Sequence, residues 1–321
     1  MKKLLALGLV VAAVLAVGFW FIQGWNGAGP SKRPTPVVIE SGTSLAKAAE
    51  QLEKAGVIAS SERFLFQARI FGSGEPIKAG EYAFPARASH SQVLSLLQDA
   101  KTLQRMLTIP EGLPSVLVHE RLMNAPTLVG EVPVPEEGSV LPNSYSYQRG
   151  EARSAVLARM QAAMARTLAD LWAKRAPTAV VTSPREAVIL ASIVEKETGK
   201  ASERRMVAGV YSNRLRIGMK LDADPTVIYP VTKGRPLGRR IKQSELRANN
   251  GYNTYAMAGL PAGPIANPGR DSIAAVLNPA PTEAIYFVAD GTGGHVFANS
   301  FAEHQANVEK WRAIRRARGE M

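Results

Sequence analysis

The stretch AVILASIVEKETGK, residues 187–200, ends an otherwise apolar helix on two carboxylates, Glu195 and Glu197, with Lys196 between them. At about 100° per residue Glu195 falls on the stripe of Val188, Ala191 and Ser192, while Glu197 points about 200° further round, so the two cannot share one site. A carboxyl on such a stripe is desolvated, holds its proton near neutral pH and suits a general acid. The alternative is a helix-end charge paired with Lys196 or a nearby arginine, and spacing alone does not separate the two. Asp224, in LDADPTVIYP (221–230), is the one nearby candidate for a second acid and reads as part of a loop. YNTYAMAGLPAGPIANPG (252–269) adds two tyrosines around Asn253 and Thr254, a group able to stack on sugar faces and donate hydrogen bonds.

Other chemistries fall on residue grounds. ETGKA, residues 197–201, resembles the end of a phosphate-binding loop, but Val194 stands where its first glycine belongs and Ala201 where Ser or Thr belongs. His90, His119, His295 and His304 lack an H-x-x-x-H spacing, so no metal site is expected. The chain has no cysteine, which removes disulfides, thiolate zinc sites and cysteine nucleophiles. DGTGGH, from Asp290, is too irregular for a dinucleotide fingerprint and reads as a tight turn.

The elements that must hold these groups are legible in part. SPRE (183–186) starts the quoted helix with Ser183 as cap, Pro184 in the first turn and Glu186 closing a capping box; Gly199 ends it. Upstream, residues 37–103 read as one small module: a strand VVIE, a helix with Leu45, Ala48, Ala49 and Leu52 on one face, a helix over Phe64–Phe71, a return strand KAGEYAF and a helix SQVLSLLQDA. RMLTIP (105–110) opens the second region, and a long helix over Glu151–Lys174 presents Val156, Met160, Met164, Leu168 and Leu171 to a core. The mixture argues an α+β class in two domains, 37–103 and 104–321.

The first residues stand apart. Lys2 and Lys3 precede an uncharged run from Leu4 to Ile22, long enough to cross a bilayer as a helix and leaving through Phe19, Trp20, Phe21 and Trp25. An uncleaved anchor is favoured over a signal peptide, whose apolar region is shorter. The paired lysines keep residues 1–3 in the cytoplasm, place the rest on the far side of the membrane and leave 23–36 as a Gly- and Pro-containing linker. Net charge is +12, concentrated in Lys233–Arg247 and Lys310–Arg318. On the far side such charge meets anionic lipid or acidic wall polymer, and nucleic acid is not an expected partner.

Taken together, ASIVEKETGKASERRMVAGVYSNRL, DPTVIYP, YNTYAMAGLPAGPIANPG, NPAPTEAIYFVADGTGGHVFA and FAEHQANVEKWR resemble the MltG (YceG-like) family of endolytic murein transglycosylases, over the chain from about residue 37. The resemblance implies a LysM-like module over 37–103, a lytic domain over 104–321, an inner-membrane anchor, no metal or organic cofactor, and a non-hydrolytic cut of the MurNAc–GlcNAc bond that leaves a 1,6-anhydro end. It puts Glu195 on the catalytic glutamate, has Tyr252, Asn253, Thr254 and Tyr255 lining the groove, and has Asp224, Pro225 and Thr226 shaping its wall. Peptidoglycan strands are the implied substrate, and peptidoglycan synthases are expected neighbours. Asp222 departs from the family's usual Gln, Ala262 from a second proline, and EGSVLPNSYSY (137–147) matches its segment only loosely. A glycoside hydrolase using Asp224 as base and a non-catalytic wall-binding scaffold are the rival readings.

Overall fold

The computed structural model describes Leu15, Gly18, Phe19 and residues 21–320. Most of the apolar run 4–22, expected to span a bilayer, lies outside the described residues; among those described, no helix is long and apolar enough to cross a membrane. The chain is α+β: among the described residues are helices and three two-stranded sheets. It divides into two compact units, one taking the described residues up to Arg105 with Ser146–Glu151, the other Met106–Tyr145 with the chain from Ala152 onward.

In the first unit β1 (Thr35–Ile39) pairs antiparallel with β2 (Gly80–Phe84), Val37 opposite Tyr82. Helices α1 (Leu45–Lys54), α2 (Ser61–Phe71) and α3 (His90–Gln98) each start on a serine, Ser44, Ser60 and Ser89, whose hydroxyl accepts the N–H three residues on. The stripe expected on α1 is the one that turns inward: Ala48, Ala49 and Leu52 are fully buried beside Ile39, Phe64 and Tyr82.

In the second region β3 (Arg105–Ile109) pairs with β4 (Asn143–Tyr147), and α4 (Ser115–Asn124) lies between them in sequence. The long helix expected near 151–174 is α5 (Arg153–Ala173), which buries Val156, Leu157, Met160 and Met164. At the centre is α6 (Pro184–Glu197), in which every residue from Ala187 to Val194 is buried. It packs on α5, on α7 (Arg204–Arg216), on α8 (Asp224–Thr232) and on α10 (Arg270–Leu277), the short α9 (Gln243–Leu246) intervening in the chain. Ser183 accepts the Glu186 N–H at 3.2 Å, as expected of its cap. The Glu186 carboxylate does not return to Ser183, however; it takes the Thr182 N–H at 2.7 Å and hydroxyl at 2.8 Å.

DGTGGH closes a hairpin of β5 (Tyr286–Ala289) and β6 (His295–Ala298), with Asp290 Oδ1 accepting the N–H groups of Thr292 and Gly294. That hairpin packs against α11 (Phe301–Ala317). Part of the basic excess is neutralised locally, Arg235 by Glu120, Arg239 by Glu245 and Arg312 by Glu309.

Candidate active site

Because α6 is enclosed on almost every side, its apolar stripe does not mark the face that meets solvent. The two glutamates diverge as the helical spacing requires, but their surroundings are the reverse of those expected. Glu195 is 5% exposed and held in an ionic cluster. Its Oε2 accepts the Gly269 N–H at 2.8 Å, at the start of α10, and its Oε1 lies 3.7 Å from Arg204, which also binds Glu111 at 2.8 Å. A Cβ on Gly269 would collide with the Glu111 side chain, so glycine leaves room for Glu111 beside this helix start. The expected desolvated, unpaired acid is therefore not at Glu195.

Glu197 fits that description instead. It is the last residue of α6, where the helix dipole disfavours negative charge. Its Oε1 is sealed from solvent and accepts no hydrogen bond among the described residues. Burial, and then the charge of Asp224, push the carboxyl from 4.5 up to about 7, against the opposing pull of the Tyr211 hydroxyl and the Arg214 charge. Such a group is protonated in about half the molecules at neutral pH, the compromise an acid that must also act as a base requires.

Asp224 does not lie on a loop. It opens α8, with Pro225 in the first turn, at the helix end that favours negative charge. The Tyr255 hydroxyl donates to its Oδ1 at 2.7 Å, and burial together with that carboxylate raises the phenol far above its ordinary value, so it remains a donor. Glu197, Asp222, Asp224 and Tyr255 open onto one cleft of about 490 Å³, closed on another side by Tyr286 and His304. The His304 ring stacks on Tyr286 at 5.0 Å, and burial and the Arg214 charge hold its imidazole below the usual range, hence neutral. Arg214 ties the cleft together by donating to the carbonyls of Ile285 at 2.6 Å and Leu221 at 2.7 Å. The cleft thus brings a carboxyl whose pKa is raised, a second carboxyl and aromatic faces together, the groups that glycosidic bond cleavage uses.

Three of the remaining residues expected to touch substrate are turned inward. Asn253, Thr254 and Thr226 are fully buried. Asn253 Nδ2 donates to the carbonyls of Glu245, Leu246 and Ala248 at 2.8–3.1 Å, and its Oδ1 accepts the Tyr255 N–H at 2.9 Å. Thr254 Oγ1 accepts the Ala223 N–H at 3.0 Å and meets Thr226 Oγ1 at 2.9 Å. Tyr252 packs on Tyr229, 5.0 Å between ring centroids, beside the core. The dense polar stretch is therefore a clamp that fixes Asp224 and Tyr255 from behind, and of its four residues only Tyr255 reaches the cleft. Thr254→Val leaves the buried Ala223 N–H without its acceptor and is expected to cost about 1–3 kcal/mol in urea unfolding.

Against known proteins, the YceG-like family profile matches residues 37–310. The chain belongs to the YceG-like family. An endolytic murein transglycosylase of Streptococcus pneumoniae serotype 2 (strain D39) is 28% identical over 327 residues, covering 87% of this chain and 58% of its own length. One of Bacillus subtilis (strain 168) is 25% identical over 332 residues, covering 92% of this chain and 91% of its own. A crystal structure of a YceG-like protein from Listeria monocytogenes matches with a TM-score of 0.52 at 27% identity, over 86% of this chain and 99% of that one. This YceG-like chain thus spans a little over half the length of the pneumococcal relative. Sequence reasoning named Glu197 but set it aside, and it did not bring Tyr211, Arg214, Tyr286 and His304 to the site; these residues come from α6, α7, β5 and α11 and converge only in the fold.

Proposed function

We propose that this chain is an endolytic murein transglycosylase that cuts the MurNAc–GlcNAc bond within peptidoglycan strands, with Glu197 rather than Glu195 as its acid. The observation that carries the reading is the Glu197 carboxyl, one oxygen buried without a partner, lining a cleft shared with Asp224 and aromatic side chains; the relatives' names give the substrate class. Glu197 gives its proton to the glycosidic oxygen as the bond from C1 to that oxygen breaks. The Asp224 carboxylate supports the positive charge that develops at C1. The Glu197 carboxylate then takes the proton of the C6 hydroxyl as O6 bonds to C1, which restores the acid and consumes no water.

The apolar run 4–22 serves in this reading as a single-pass inner-membrane anchor with a cytoplasmic N-terminus and a periplasmic enzyme. The segment 37–103 acts as a LysM-like glycan holder, 104–321 carries the chemistry, and peptidoglycan synthases are working neighbours. Asp224 beside Glu197 favours one second reading, a hydrolase in which Asp224 activates water. Purified peptidoglycan digested by the full chain in detergent separates them by mass spectrometry: anhydro-ended fragments support the lytic cut, and products heavier by one water support the hydrolase.

Asp224→Asn removes the second-largest cause of the raised Glu197 pKa, after burial. The alkaline limb of kcat/KM, which follows loss of that proton, is expected to move to lower pH. An unmoved limb would dissociate Asp224 from the acid.

A further inference from the structure

The first unit carries an apolar surface that its own core does not use. Among the described residues, every large apolar side chain exposed in this unit lies on the N-terminal apolar run, at Leu15, Phe19 and Ile22, or on α2, at Phe66, Ile70 and Phe71. Phe66 and Ile70 are 57% and 53% exposed and stand one helical turn apart, opposite the buried Phe64, Gln67 and Ala68. Contiguous apolar surface of this kind marks an interaction site on a folded protein.

The two surfaces are joined. Residues 21–26 form a helical turn seated on α2. The Phe21 ring lies 5.4 Å from Phe66 and 5.7 Å from Phe71, and Gln67 Nε2 donates to the Phe21 carbonyl at 3.0 Å. Trp25 is buried in the core of the unit, 5.7 Å from Phe71. Gly24 allows the close approach, because a Cβ there would collide with the Arg63 guanidinium. The segment read from sequence as a linker, 23–36, therefore begins in a turn packed on α2, and where the apolar run goes, the outer face of α2 goes with it.

We propose that the outer face of α2, through Phe66 and Ile70, docks into the interfacial zone of the bilayer that the apolar run enters, so that the first unit rests against the membrane. Continuity with the apolar run identifies the occupant as lipid, and this rests on reading residues 4–22 as the anchor. Arg69, exposed on the same helix, is placed to meet lipid phosphates at the rim.

The absence of cysteine makes single labelling sites clean. Full-length Phe66→Cys, Ile70→Cys, Phe19→Cys and Ala83→Cys, the last exposed on β2, are labelled with a polarity-sensitive fluorophore. Each is reconstituted in phosphatidylethanolamine and phosphatidylglycerol vesicles with and without a lipid-borne quencher. A surface buried at headgroup depth predicts quenching at 66 and 70 at least about threefold stronger than at 83. Strong quenching at 19 with none beyond the control at 66 and 70 overturns the docking while leaving the anchor standing; no quenching at 19 overturns the anchor and the docking with it. Labels at 66 and 70 that are shielded in detergent in a concentration-dependent way, and unquenched by lipid, would show that a second copy covers the face and would overturn the proposal.

Discussion

Glu197→Gln is expected to lower strand cutting by about a thousandfold or more while leaving the fold intact, because the amide keeps the shape of the carboxyl and loses the proton the reaction needs. The same substitution should raise stability at alkaline pH. A carboxyl at 4.5 in the unfolded chain and about 7 in the folded one makes the folded state bind more protons between those values. Unfolding free energy therefore falls as pH rises through that window and levels off above it, by about 3 kcal/mol in total. Gln carries no such penalty, so urea unfolding of the wild type and the variant should nearly coincide near pH 4.5 and separate toward pH 8, the variant being the more stable. The weaker bond that the Tyr211 hydroxyl makes to an amide oxygen than to a carboxylate offsets part of the gain. Cutting that survives Glu197→Gln, or a wild-type stability indifferent to pH across this window, would remove Glu197 from the acid's role. An oxygen sealed without a partner is a cost to folding that a structural residue has no reason to bear, and here it belongs to a residue that lines the cleft.

What could be read from the sequence follows the range of the forces involved. Helix starts are local, and Ser183 caps where its hydroxyl and the following apolar period say it should. Asp290 folds the DGTGGH turn through its own neighbours. The helix starting at Asp224 was hidden by Pro225 and Pro230, which read as loop although the first suits an opening turn. The clamp at 253–254 showed its polarity but not its direction, because Thr254 faces Ala223 and Thr226, about thirty residues away, which only the fold brings near. The choice between the two glutamates was of the same kind. Helical spacing separates them correctly, yet on a helix buried all round it cannot say which side holds the cleft, and the partners that decide it lie on α7, α8 and α10.

Glu195→Ala is the complementary experiment, with stability as its main readout. The substitution removes the acceptor of the Gly269 N–H, one of the donors at the start of α10 that no intrahelical bond can satisfy, and takes from Arg204 one of its counter-charges. Stranding a buried charge outright costs about 3–5 kcal/mol. Glu111, 2.8 Å from the same guanidinium, and Asp271 at 3.6 Å remain to pair with it, so the expected loss is about 2–3 kcal/mol in urea unfolding. Glu195→Gln should cost less, since its amide oxygen can still accept from Gly269. In both variants the cutting rate per folded molecule should stay within a few-fold of wild type, because Glu195 does not line the cleft. Unchanged stability with abolished cutting would return the acid to Glu195. The expected opposite result separates two glutamates two residues apart, one holding a helix start in place and the other kept short of partners so that its proton stays available.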